Sequence, residues 1–432
     1  MPWRLKSTDA SFATDFQNFL NIKREAQTDL EAVVAEIVGG IVARGDQALF
    51  EYTSKFDRVD LTAETVQISP DEIAAAYKTC SPEHLGALQL AATRIRAFHE
   101  KQLPENLSYQ DQDGVRLGLR WGAVSSVGMY VPGGLASYPS SVLMNAIPAK
   151  VAGVKRLVMV VPTPDGEINP LVLAAASIAE VDEIYRVGGA QAVAALAFGT
   201  ASIKPVDKIV GPGNAYVATA KRQVFGTVGI DMIAGPSEIL VVADGQNNPS
   251  WIAADLLSQA EHDTSAQAIL ITDDADFAEA VVQAVDVHLQ SLPRSEIAGK
   301  SWQDFGAVIT VDEMAEAIEL IDTIAPEHLE LAVEAPEEMA EKISHAGAIF
   351  LGRHTPEALG DYIGGPNHVL PTGRSARFSS GLGVLDFMKR TTLLGVTEQS
   401  IKAIGPATVT LAEAEGLDAH ALSVALRLAD GE

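Results

Sequence analysis

"DKIVGPGNAYVATAKRQVFG", residues 207–226, runs without a break from a short apolar stretch through a glycine-proline turn into a helical stretch. Strand, tight turn and helix in that order make half of a βαβ unit, because parallel strands need a crossover and the crossover is usually a helix. The same alternation extends in both directions. "SSVGMYVPGG", "RLVMVVP" and "EIYRVGG" precede it and "IDMIAGPS" follows, with helical stretches such as "AQAVAALAFG" between. A second series begins with "EILVVAD", "AQAILITDD", "GAVITVD" and "GAIFLG". Near-continuous apolar runs of this kind predict parallel strands covered on both faces. The expected fold class is therefore α/β, with two doubly wound Rossmann-like units, a helical N-terminal region and a short helical C-terminal tail. In the N-terminal region, "TDLEAVVAEIVGGIVARG" predicts a helix capped by Thr28 and ended by Gly45, and "SPEHLGALQLAATRIRAFHE" predicts another.

Composition narrows the function. At 432 residues, 47% hydrophobic, the chain exceeds the ~250–300 residues at which a single core stops growing, so more than one domain is expected. Its 57 acidic and 31 basic residues leave a net charge of −26, which would repel a polyphosphate and argues against a nucleic-acid partner. A single cysteine, Cys80, cannot form an internal disulfide and fits a reducing compartment. No signal-like segment opens the sequence and no run reaches the ~18 apolar residues of a membrane helix. A cytoplasmic location without membrane contact is the expectation.

Open α/β sheets bind ligands at strand-to-helix turns, and three such turns are glycine-rich: "YVPGG" (130–134), "VGGAQA" (187–192) and "GPGNAY" (211–216). The last is half of a dinucleotide fingerprint, with Asp231 twenty positions on, although Tyr216 stands where a third small residue belongs. Taken alone, such a partial motif is more often an ordinary tight turn. Metal chemistry is the other candidate. "LLSQAEHD" sets Gln259 and His262 three apart on a helical pattern, which aims both side chains the same way. The bland reading of that pair is a polar helix end. For His420 in "LDAHALSV" it is a surface histidine, and for Asp361 in "ALGDYIGG" a turn residue. His99, His288, His345 and His354 read as surface or boundary residues, whereas His368, in a loop crowded with glycine and proline, must be held by something. "APEHLEL" (325–331) pairs Glu327 with His328, either as an acid/base pair or as the first turn of a helix, and "PEHL" occurs again at 82–85.

In their order, "GPGNAYVATAKRQV", "IAGPSEILVVAD", "DLLSQAEHD", "APEHLEL", "GGPNHVLPT", "SSGLGVLDFMKRTT" and "EGLDAHALSVALRL" resemble the motifs of the histidinol dehydrogenase family from about residue 20 onward. The resemblance implies one zinc ion per subunit on Gln259, His262, Asp361 and His420, the last arriving from a partner subunit. It implies a homodimer with shared active sites. The substrate would be L-histidinol, oxidised through the aldehyde to L-histidine at the expense of two NAD. Glu327 and His328 are implied as the catalytic pair, the histidine taking the alcohol proton and the glutamate activating the water that hydrates the aldehyde. Substrate contacts fall on Ser237, Glu415, His328 and the metal ligands, and nucleotide contacts on Tyr130, Gln191 and Asn214. The division to be expected is a helical segment at 1–25, a discontinuous Rossmann-like domain from 26–129 with 237–381, a nucleotide-contacting one at 130–236, and a tail at 382–432 that crosses to the partner. Three other readings stay open. A paralogue could act on another small amino or hydroxy compound, the chain could be a non-catalytic metal-dependent binding protein, and an aldehyde-dehydrogenase-like mechanism would need Cys80 as its thiolate.

Overall fold

The computed structural model describes residues 1–22, 30–133, 138–233 and 235–429; the expected cap Thr28 and the last glycine of the first turn, Gly134, lie outside them. Two parallel sheets form the body. The five-stranded one has the order Glu183–Tyr185, Arg156–Val160, Ser126–Tyr130, Lys208–Val210, Gly229–Ile230. The six-stranded one runs Trp3–Lys6, Ala307–Thr310, Gln267–Thr272, Glu238–Ala243, His328–Ala332, Ala348–Leu351. Each sheet has helices on both faces, and the period-two alternation of a strand sorts its residues between two cores. Val127, Met129, Leu157 and Met159 enter one, and Tyr130, Val158 and Val160 the other. In the second sheet Leu240, Val242, Leu329 and Leu331 face one core while Ile239, Val241 and Ala243 face the opposite one.

Three features differ from the sequence reading. The N-terminal segment is not wholly helical, because Trp3–Lys6 adds an edge strand to the six-stranded sheet before the helix Phe12–Leu20. The helices Leu30–Arg44 and Pro82–Glu100 pack on the five-stranded sheet, contributing Val34, Ile37 and Ile41 to one of its cores and Ala91, Ala92 and Ile95 to the other. These two helices, which the expected division groups with residues 237–381, thus share their cores with the five-stranded sheet. The third difference is an antiparallel sheet, in which Met388–Gly395, from the expected helical tail, pairs with Arg116–Ala123 and that strand with Leu107–Gln110. The tail ends in two mutually packed helices, Glu398–Ala414 and Asp418–Ala429.

In each sheet the strand order reverses beside its first Rossmann-type strand, at Ser126–Tyr130 next to Lys208–Val210 and at Glu238–Ala243 next to His328–Ala332. Such a switch point opens a crevice. The two sheets use opposite ends of it, because the cleft between them receives the carboxyl end of the five-stranded sheet, through Pro132 and Pro212 to Tyr216, and the amino end of the six-stranded sheet, through Ser237, Glu327 and His328.

Candidate active site

A cavity of about 660 Å³ lies between the sheets, lined among others by Asn214, Ser237, Gln259, His262, Glu327, His328, Asp361 and His368. The residues singled out in "APEHLEL" stand at its floor, and they begin a strand. Ala325 closes the helix Ala317–Ile324 in the left-handed region at φ 48°, Pro326 follows, and His328 opens a central strand paired with Ile239 on one side and Ala348 on the other. The helix-start reading of this tetrapeptide is thus excluded, whereas Pro82–Leu85 does begin a helix, with the Ser81 hydroxyl accepting from the His84 N–H.

His328 is nearly inaccessible, and its Nδ1 lies 2.9 Å from the carbonyl oxygen of Glu238. A carbonyl can only accept, so Nδ1 carries the proton and Nε2 presents a lone pair. Nε2 has no hydrogen-bond partner and lies 3.7 Å from a Glu357 oxygen and 3.8 Å from one of Asp361. Glu327 is held by the Glu238 N–H, 2.9 Å from its Oε2. Burial drives its carboxyl up to about 7 against the pull of the adjacent His328. It is therefore able to exchange a proton near neutrality.

Three of the four metal-ligand candidates lie on, or just beyond, two helices. Gln259 ends the helix Pro249–Ala260 and His262 follows one turn on, its backbone N–H bonded to the Gln259 carbonyl; its Nδ1 is 3.4 Å from the Ser237 hydroxyl. Gln259 is fully buried, and neither atom of its amide makes a well-formed hydrogen bond, the Glu357 carboxyl being a close neighbour. Leaving such a group unpaired in the interior costs ~1–3 kcal/mol, so it implies a missing partner. Asp361 lies on the helix Glu357–Tyr362, four residues and one turn from the buried Glu357, and His328, Glu357 and Asp361 place ligand-type atoms within 4.8 Å of one another. Burial and the neighbouring Glu357 charge push the Asp361 carboxyl well above its usual range, while burial holds His262 below its own. An amide oxygen, a neutral imidazole and carboxylates crowded enough to repel one another form a donor set that suits zinc. Glu357 escaped the sequence reading, although its i, i+4 spacing from Asp361 was visible.

His368 is held at both ends of its ring, by the Ser141 hydroxyl at 3.2 Å from Nε2 and by the Asp361 carbonyl at 2.9 Å from Nδ1. Burial lowers it to about 4, so it stays neutral and ties the helix of Asp361 to the opposite wall. Among the nucleotide candidates only Asn214 lines the cavity. Its Oδ1 caps the helix Ala215–Val224 by accepting from the N–H groups of Tyr216 and Val217, which leaves the amide NH₂ as its free group. Tyr130 and Gln191 are buried and brace another turn, the Tyr130 hydroxyl accepting from the Gly189 N–H. Glu415 and His420 are exposed on the tail and do not line the cavity of their own chain. Cys80, beyond the helix Pro70–Thr79, lies outside it as well. His99, expected near the surface, is fully buried, with Nδ1 bonded to the Ile95 carbonyl.

The family model described as histidinol dehydrogenase matches residues 20–428. The chain belongs to the histidinol dehydrogenase family. It is 65% identical over 432 residues to the histidinol dehydrogenase of Rhodospirillum rubrum, with all of both chains covered, and 62% identical over 432 residues to that of Rhizobium meliloti, again with full coverage. The crystal structure of histidinol dehydrogenase from Elizabethkingia anophelis superposes with a TM-score of 0.95 at 39% identity, covering 99% of this chain and 98% of that one. The two-sheet α/β architecture is therefore that of the family. No helix among the described residues is long and apolar enough to cross a membrane.

Proposed function

We propose that the cavity oxidises L-histidinol through L-histidinaldehyde to L-histidine, completing histidine biosynthesis as a cytoplasmic, NAD-dependent oxidoreductase with zinc at its site. The observation that carries this is the His328 ring, whose Nδ1–H is committed to the Glu238 carbonyl so that an unpartnered Nε2 faces the cavity beside Asp361. Zinc, when bound, orients the substrate by its imidazole and amino group, and NAD accepts the electrons of each of the two oxidations. Gln259, His262 and Asp361 would hold the ion, and His420 would reach it from a second copy of the chain, since in its own chain it lies away from the cavity. Glu415, on the same exposed tail, would come with it to touch the substrate.

His328 Nε2 takes the alcohol proton in the first oxidation. Glu327, whose proton is labile near pH 7, removes one from the water that hydrates the aldehyde, and the second oxidation then yields the carboxylate. Ser237, beside His262, orients the substrate's polar end. The turns of Tyr130, Gln191 and Asn214 form the nucleotide side, with Asn214 in contact and the buried pair keeping the neighbouring turn in shape. Incubation of the zinc-loaded enzyme with limiting L-histidinol and excess NAD tests the reading. Two NADH per substrate are expected. One would reduce the enzyme to an alcohol dehydrogenase, and none would make it a binding protein.

A further inference from the structure

Asp231 stands twenty residues after Gly211, where a dinucleotide fingerprint places the acid that takes the ribose hydroxyls. The structure gives it another task. Its side chain is 1% exposed and forms an ion pair with Lys221, whose side chain is 3% exposed. Both charges are directed at one residue of the turn: the Gly211 N–H donates to Asp231 Oδ2 at 2.8 Å, and Lys221 Nζ donates to the Gly211 carbonyl at 3.0 Å. Gly211 itself has φ 107°, and a Cβ there would meet the Tyr130 carbonyl oxygen at 2.2 Å, so the turn is pressed against the end of the neighbouring strand. Three residues on, Asn214 caps the next helix and faces the cavity.

A buried ion pair is often no more stabilising than apolar residues of the same volume, because desolvation of two charges offsets their attraction. Stability alone therefore gives weak grounds for Lys221 and Asp231. We infer that they are positioning residues for the nucleotide turn: the pair grips the amide and carbonyl of Gly211, fixes the path of Gly211–Asn214, and so sets the affinity for NAD without touching substrate or reacting atoms. The inference rests on Asn214 as a nucleotide contact.

Steady-state rates of the zinc-loaded enzyme, with NAD and L-histidinol varied separately, test it in Lys221→Met, Asp231→Ala, Asp231→Asn and Asn214→Ala, each checked for native circular dichroism. Lys221→Met and Asp231→Ala should raise KM for NAD about tenfold or more, the factor carried by a mis-set hydrogen bond, while kcat and KM for L-histidinol stay within a few-fold. Asp231→Asn, which can still accept from the Gly211 N–H, should recover most of that loss and serves as the test if the harsher variants fail to fold. Folded variants with unchanged KM for NAD, or with both KM values and kcat impaired together, would overturn the positioning role. If Asn214→Ala also leaves KM for NAD unchanged, the nucleotide assignment of the turn fails instead.

Discussion

Glu327 and His328 stand side by side at the start of a strand, with Glu327 Oε2 3.6 Å from His328 Nδ1, yet each is held by a different group of the Glu238 backbone, the N–H for the carboxyl and the carbonyl for the ring. His328 is fixed as the Nδ1–H tautomer, and Glu327 is raised to about 7, chiefly by burial. A base must be ionised to accept a proton, so with histidinaldehyde as substrate the oxidation rate should rise with pH and level off above about 7. Glu327→Gln should be slow throughout and lack that inflection; an unchanged inflection would assign it to another group. Glu83→Gln and His84→Asn, in the other "PEHL", should alter neither oxidation by more than a few-fold, because those residues lie in the first turn of an amphipathic helix outside the cavity. Which copy would face a cavity was not legible from the four residues. It was carried by the longer string of motifs around them, and its physical basis is the surrounding strand pairing.

At the scale of elements, the strand His328–Ala332 brings the site together. Leu329 and Leu331 enter a core, while Glu330 lies on the face of His328, towards the helices Pro249–Ala260 and Glu357–Tyr362. There Glu330 accepts from the Glu357 N–H and pairs with Asp255. Burial first, and Asp255's charge next, drive Glu330 well above the usual carboxylate range; Asp255 is driven to about 6, mostly by burial. For a carboxyl whose folded pKa is raised, the native state binds more protons than the unfolded state, so this contribution is most favourable below the unfolded value near 4 and declines as pH rises through about 6. Glu330→Gln can accept from the Glu357 N–H and donate to Asp255 without needing a proton. Its melting temperature should exceed that of the parent at pH 8, with the gap closing towards pH 4, and turnover should stay within a few-fold. Glu330→Leu, which leaves the Glu357 N–H unpaired, should cost ~1–3 kcal/mol by denaturant unfolding. This strand was missed in the sequence for the reason that makes it useful: alternating His, Leu, Glu, Leu lacks the continuous apolar run by which the other central strands were found. The antiparallel sheet was hidden differently, its strands half-exposed and drawn from positions some 270 residues apart by the register that pairs Met388 with Ala123.

For the whole molecule, the sequence predicts both parallel sheets but not which helices cover which, since an amphipathic helix reports that it has a buried face without naming the sheet beneath it. The exposed position of His420 and Glu415 makes assembly testable. If the tail of one subunit completes the other's site, mixing inactive His262→Ala and His420→Ala chains should restore activity, because one hybrid site carries both lesions and the other neither. Proven subunit exchange with no recovery would remove His420 from a shared site. Chelation should abolish turnover yet leave circular dichroism unchanged, since the candidate ligands Gln259, His262 and Asp361 sit on elements already anchored by apolar cores and hydrogen bonds. Wholesale unfolding would make the metal structural.

The division of labour within Glu327-His328 is tested most directly with histidinaldehyde supplied in both directions. Glu327→Gln should oxidise it with NAD very poorly yet reduce it with NADH at a useful rate, because reduction requires no hydration. His328→Asn should be impaired in that reduction by ~100- to 10,000-fold, since the same nitrogen must return the proton to the alcohol. Equal losses for both variants in both directions would contradict the assignment and leave Glu327 as no more than the buried partner of the Glu238 N–H.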